Sequence, residues 1–241
     1  MNLVLDIGNT RTKAALFDEK TLIKHYYFDK NPFEQINQLL VKHTEIKYSI
    51  ISSVLNHSQD LVDILSLHTR CIEFSNKTQL PIQIKYASPE TLGKDRLAAA
   101  VGAYILFKGH HVLSIDAGTC IKFDFVNKQG EYLGGSIAPG MEMRLKALNT
   151  FTDKLPLIAL NSNYRALIGT NTSESILSGV QNGALFEISG FIEQYKQQYS
   201  EVKIVITGGD SAFFEVALKN SIFASPDLVL LGLNEILNFN V

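Results

Sequence analysis

Cysteine is nearly missing from this chain. Cys71 and Cys120 are the only two, with no CxxC pair and no metal-ligand spacing between them. That excludes a disulfide framework and a cysteine-ligated zinc centre, and it fits a reducing compartment. An excess of one charge is missing as well. A formal net charge of -2 and a pI near 6.3 leave no field to gather a polyanion, so nucleic acid is not expected as a partner. No apolar run approaches the roughly 20 residues that cross a bilayer; "LVLLGLN" at Leu228–Asn234 is too short and reads as core. The N-terminus lacks the basic, apolar, small-residue order of a leader peptide. A soluble, cytoplasmic protein with no membrane partner is the expectation. GxxxxGK[ST], GxSxG and HExxH are all absent, which removes three common catalytic frameworks.

What is present supports a substantial core. Hydrophobic residues make up 46% of 241 positions and charged ones 19%, which argues against disorder and leaves room for one large domain or two small ones. "NLVLDIG", "TKAALFD" and "LIKHYYF" read as three strands joined by tight polar turns. "NPFEQINQLLVKH" follows as an amphipathic helix with proline near its start, then strand "YSIISSV", helix "SQDLVDILSLH" and strand "RCIEF". A long Ala- and Leu-rich helix, "RLAAAVGAYILFKG", ends at Gly109.

The plan then repeats. "HVLSIDAGTCIKFDFVNKQGEYLGGSI" again reads as three strands in two hairpins. Helices follow at Met141 to Asn149 and from Thr172 to about Gln198. Strand "KIVITGG", helix "SAFFEVALKN" and a last apolar helix near Leu230 to Phe239 complete the series. "LDIGNT" and "IDAGT" each close a first strand and open a hairpin, and Asp6 and Asp116 stand about one domain length, roughly 110 residues, apart. The expected fold is α/β with two like domains, 1–109 and 110–241, each a mixed five-stranded sheet flanked by helices, and a cleft between them.

One Asp-x-Gly after a buried strand is an ordinary turn. Two copies at matching places point to a nucleotide clamp. Glycine lets backbone N–H groups approach phosphates, Thr10 and Thr119 add hydroxyl donors, Lys13 adds charge, and aspartate can hold Mg²⁺ directly or through water. "LGKDRL" stands where a loop becomes a helix. Asp95 there is either an N-cap for a helix begun at Arg96 or a general base, with Arg96 an anion clamp. "GTNTSESILSGV" carries a capping pattern at Asn171, Thr172 and Glu174. "TGGD" at Thr207–Asp210 offers bare backbone for an adenosine or ribose.

Taken together and in order, "DIGNTRTK", "LGKDRL", "DAGT", "YLGGSIAPGM", "GTNTSESILSGV" and "TGGD" resemble the type III pantothenate kinases, a branch of the sugar kinase and actin superfamily. The resemblance implies ribonuclease H-like (actin-like ATPase) domains and ATP-dependent phosphorylation of pantothenate in coenzyme A biosynthesis. It makes Asp95 the catalytic base and brings Tyr86, Gly93, Lys94, Asp95, Arg96 and Thr172 to the substrate. Asp6, Ile7, Gly8, Asn9, Thr10, Arg11, Thr12 and Lys13, with Gly118, Thr119, Gly208 and Gly209, would surround ATP. Asp6 would hold Mg²⁺ and Asp116 a monovalent cation, K⁺ or NH₄⁺, and the enzyme would be a homodimer. Another small-molecule kinase of the superfamily or a non-catalytic relative is the alternative. Three residues depart from the family pattern. Lys94 and Cys120 stand where alanine is usual and Lys122 where threonine is. Facing the cleft, Lys122 would alter ATP affinity or the need for K⁺.

Overall fold

Strand β1 (Asn2–Ile7) is buried at every position except its aspartate. Its alternate residues feed two cores, which is why it is apolar almost throughout. Leu3, Leu5 and Ile7, with Ala14 and Leu16 of β2 (Thr12–Asp18), join one cluster; Val4, Ala15 and Phe17 join another. β3 (Thr21–Phe28), β4 (Tyr48–Ser53) and β5 (Arg70–Glu73) complete a sheet of order β3-β2-β1-β4-β5, antiparallel on the β3 side and parallel on the β5 side. The computed structural model describes residues 1–8, 11–29, 32–53, 59–218 and 222–241.

Helices α1 (Phe33–Lys42) and α2 (Gln59–His68) cover the first face of this sheet with Ile36, Leu39, Leu40, Leu61 and Leu65. The other face receives α3 (Lys94–Leu106) and α8 (Leu228–Asn240). These two cross closely at a pair of glycines: a Cβ on Gly102 would lie 3.1 Å from the Gly232 nitrogen. Leu230, Leu233, Ile236 and Leu237 of α8 sit in the cluster with Ala98, Val101 and Phe17, each burial worth roughly 1.5–3 kcal/mol. Asn2 ties the first strand to the same helix through bonds from its amide to Asn234 (2.9 Å) and Asn238 (2.8 Å).

β7 (Val112–Ala117), β8 (Cys120–Val126), β9 (Glu131–Pro139), β10 (Lys203–Thr207) and β11 (Phe223–Ala224) repeat the first order as β9-β8-β7-β10-β11. β7 matches β1 in being buried everywhere but its aspartate, Asp116. The second sheet holds six strands rather than the expected five, because β6 (Gln83–Ile84) pairs in parallel with the start of β9. Two residues are too few for any periodic signal. Helices α4 (Met141–Thr150), α5 (Thr172–Leu177), α6 (Gly183–Gln198) and α7 (Ser211–Ala217) pack around a core that includes Leu113, Ile115, Phe123, Ile188 and Phe214.

The single helix expected from Thr172 to about Gln198 is interrupted. Ser178–Asn182 form a π-helical turn between α5 and α6. Its polar side chains hold the irregular stretch before α5. Ser178 Oγ donates to the Leu167 carbonyl (2.6 Å), the Gln181 amide donates to the Asn161 carbonyl (2.9 Å), and the Asn182 amide donates to that of Ala166 (3.0 Å). Carbonyls of a segment without its own ladder need such partners.

Residue contacts define two units. The first is Met1–Gly109 with Val126–Leu133 and Asp227–Val241; the second is His110–Phe125 with Gly134–Pro226. A division by sequence at residue 110 leaves the last helix in the second half. It joins the first unit because its apolar face packs on α3. Among the described residues no helix is long and apolar enough to cross a membrane.

Candidate active site

In the first unit, β1 delivers Asp6 to the end of the sheet, opposite Lys13 on β2 and Ser52 on β4. Asp6 and Lys13 are half-buried and Ser52 is fully buried. The Gly8 N–H donates to the Arg11 carbonyl at 3.1 Å and closes the turn, with the Arg11 side chain exposed. Ile7 and Thr12 alternate to the face covered by α1 and α2 and are buried there, so any contact they make with a nucleotide falls to their backbone. The Thr12 hydroxyl has no hydrogen-bond partner among the described residues. Asn9 and Thr10 lie outside the described residues.

The "GKDR" residues sit at the start of α3. Gly93 is the N-cap, so the helix begins at Lys94 and the capping reading of Asp95 does not apply. Asp95 lies in the first turn, where the helix dipole favours a carboxylate. Its Oδ1 accepts from the Arg96 backbone N–H at 2.9 Å. A Cβ on Gly93 would stand 2.7 Å from that same oxygen, so the glycine makes the fold-back possible. The buried Arg96 guanidinium lies 5.9 Å from the centre of the Tyr86 ring, which in turn meets Tyr132 edge-on at 6.0 Å. A cation–π contact of this kind is worth about 0.5–2 kcal/mol. Tyr86, Gly93, Asp95 and Arg96 are thereby gathered in one place, with Lys94 half-buried beside them.

In the second unit the hairpin from β7 to β8 is tighter, with only Gly118 and Thr119 between the strands. The Gly118 N–H donates to the Cys120 carbonyl (3.0 Å), and the Thr119 carbonyl accepts from Gly140, the N-cap of α4 (3.0 Å). Lys122 turns to the same face as Asp116, and its Nζ lies 2.6 Å from Asp116 Oδ2. The "TGGD" turn locks beneath this hairpin. Asp210 N–H donates to the Ala117 carbonyl at 3.0 Å. Gly208 has a φ of 96°, and a Cβ there would lie 2.6 Å from Asp116 Oδ1. Only glycine fits both demands. Asp116, Gly118, Thr119, Gly208 and Gly209 thus form one cluster. Burial pushes the neighbouring Asp210 carboxyl up to about 6, with the Glu142 charge adding to the effect.

Thr172 is exposed in the first turn of α5. The capping pattern read there is present: the Asn171 side chain accepts from the Glu174 N–H at 3.0 Å. Glu174 Oε2 accepts from the Thr170 N–H (2.8 Å) and hydroxyl (2.7 Å), which hold its carboxyl below the usual range.

Two residues beside the hairpin aspartates escape a reading by motif. Lys122 stands out in the sequence only as a departure from the family pattern, although counting outward from the tight turn puts it on the face of Asp116. Ser52 has a sequence signal only through parallel pairing, which motifs do not carry. Among the described residues no three acidic, histidine or cysteine side chains gather into a metal cage.

Known proteins place this chain. The type III pantothenate kinase profile matches residues 2–194. A type III pantothenate kinase of Christiangramia forsetii is 43% identical over 241 residues, covering 100% of this chain and 99% of that protein. Among solved structures, a Campylobacter jejuni protein described as a Baf family transcriptional activator superposes with a TM-score of 0.62 at 22% identity, over 99% of this chain and 98% of the other. The activator of the 2-hydroxyisocaproyl-CoA dehydratase from Clostridium difficile, with bound ADPNP, follows at a TM-score of 0.56 and 13% identity, over 99% and 93%. Those two likenesses are of fold. The family profile and the full-length identity are of sequence, and on them this chain belongs to the type III pantothenate kinases.

Proposed function

We propose that this chain transfers the γ-phosphoryl group of ATP to the primary hydroxyl of pantothenate, the first step of coenzyme A biosynthesis. The observation that carries the proposal is the 43% identity to a type III pantothenate kinase over the full chain. The local geometry supplies roles. Asp95, in the first turn of α3 beside the Tyr86–Arg96 pair, takes the hydroxyl proton, a contribution of about 10²- to 10⁴-fold. Tyr86, Gly93, Lys94 and Arg96 contact pantothenate, with Arg96 placing substrate or the moving phosphoryl group. Thr172 adds a further contact.

The first hairpin, Asp6 to Lys13, and the glycines at 118, 208 and 209 with Thr119 hold ATP. Phosphoryl transfer is mostly positioning and charge neutralisation, which is what backbone N–H groups and lysines provide. A Mg²⁺ ion bound with ATP would need only one or two protein carboxylates. Asp6 beside the Ser52 hydroxyl gives hard oxygen donors that fit it, directly or through water. The bound ion supplies charge to the phosphates. The resemblance to the family brings a monovalent cation to Asp116, where this chain already presents an ammonium. A homodimer in the cytoplasm completes the proposal.

The test is ATP-dependent phosphorylation of pantothenate beside a panel of sugars and carboxylates. Pantothenate alone is expected to turn over. Asp95→Asn should lower kcat by at least roughly 10²-fold with ATP affinity unchanged. An unaltered kcat removes Asp95 from the role of base, and turnover of another panel member without pantothenate replaces the substrate.

A further inference from the structure

We infer that Lys122 supplies from within the chain the positive charge that a monovalent cation would bring to Asp116, so that catalysis needs no added K⁺ or NH₄⁺. The inference rests on the reading of Asp116 given above and deepens it.

The carboxylate of Asp116 is enclosed on two sides. Oδ1 lies against the backbone of Gly208, at the place where any larger residue would press on it, and Oδ2 lies 2.6 Å from Lys122 Nζ. Each side chain of the pair keeps only 18% of its surface exposed, so neither charge is dissolved in bulk water. A second cation at this carboxylate would have to sit within about 4 Å of the lysine ammonium, where like charges repel strongly. The donor set therefore does not fit an added monovalent ion. An ammonium on a lysine stem is chemically an alkylated NH₄⁺, with the same charge and one N–H donor fewer. Its tether removes the entropy of capturing an ion from solution.

An ordinary stabilising ion pair would occupy the same coordinates, and the two readings separate by cation dependence. Product formation is measured for the full chain with choline as the only monovalent cation, then with KCl or NH₄Cl added. The wild type is expected to change its kcat/KM by less than about twofold. Lys122→Thr is expected to lose about 10²-fold in choline, the scale for removing one preorganised charge donor, and to regain most of it in K⁺. Lys122→Met, which fills the space with an apolar chain, is expected to lose the same amount without recovery. Melting temperature and ATP affinity give a readout apart from turnover: K⁺ should move both for Lys122→Thr and neither for the wild type.

Stimulation of the wild type by K⁺ of about fivefold or more overturns the inference, and so does a Lys122→Thr protein indifferent to K⁺. Should Lys122→Thr fail to fold, the wild-type comparison decides alone. Should no salt yield phosphorylated pantothenate, the proposed function falls, and the K⁺ dependence of ATP affinity still decides for or against Lys122.

Discussion

The two hairpins are built from the same parts and hold their aspartates differently. Each places an aspartate as the one partly exposed residue of a buried first strand. Each sets a buried hydroxyl residue beside it on the neighbouring parallel strand, Ser52 for Asp6 and Thr207 for Asp116. Each faces it with a lysine, Lys13 or Lys122. The first turn runs from Gly8 to Arg11. The second is only Gly118 and Thr119, and it is pinned from below by the Gly208 turn and from the side by Gly140. A duplicated framework has kept its positions while one copy became the tighter one. The first pair of strands is separated by four residues and the second by two, and the second hairpin presents a fixed charge.

Four experiments would break or sharpen this contrast. The largest effect is expected at Gly208. Alanine there meets the Ala117 carbonyl and Asp116 and is held at a φ of 96°, so Gly208→Ala should cost about 3 kcal/mol or more in urea unfolding. A near-neutral result would mean that the second hairpin is not clamped. Next come the two lysine–aspartate pairs. A double-mutant cycle with Asp116→Asn and Lys122→Met should give a coupling of about 1–2 kcal/mol for the largely enclosed pair. The same cycle on Asp6 and Lys13, which face each other across β1 and β2, should give about 0.2–1 kcal/mol, the range for a cross-strand pair. Equal couplings would erase the distinction.

Gly8→Ala follows. Its Cβ would lie 3.2 Å from the Arg11 carbonyl, an approach that a shift of a few tenths of an ångström relieves, and about 1 kcal/mol or less is expected from the melting curve. The smallest effect belongs to Asp210, whose folded carboxyl is raised from 3.8 to about 6, chiefly by burial. The native state then holds that proton more tightly than the unfolded chain. Its contribution to stability is full below about pH 3.8 and is lost as pH rises through about 6. Asp210→Asn should therefore stabilise the protein by about 0.5–1 kcal/mol at pH 8, allowing for solvent screening, and not at pH 3.5. Stabilisation that is the same at both values would assign the effect to something other than ionisation.

Most of the framework was legible because it is periodic or repeated. Strand β1 is legible in its apolar Leu3, Val4, Leu5 and Ile7, α1 in Ile36, Leu39 and Leu40 on one face, and the duplication in "LDIGNT" and "IDAGT". What escaped has no period. β6 and β11 are two residues each and exist only through their partners. The π-helical turn at Ser178–Asn182 keeps a helical composition and shows itself only in where Gln181 and Asn182 reach. In the candidate site, Asp95 and Arg96 were legible as a pair, whereas Tyr86 was found by resemblance and is tied to them through Arg96. Lys122 was legible as a residue and not as a contact, since its meaning lies in a distance of 2.6 Å across a turn.

The seating of α8 on α3 has a consequence for biosynthesis. Leu233, Ile236 and Leu237 complete a core whose other walls come mostly from residues before Gly109, with Val126 and Tyr132 added, so the first unit waits for a segment translated after the whole of the second. On the ribosome, where domains otherwise mature from the N-terminus onward, the second unit should become protease-resistant first, and limited digestion of stalled nascent chains would record the order. The half of the molecule made earliest is thus the half finished last.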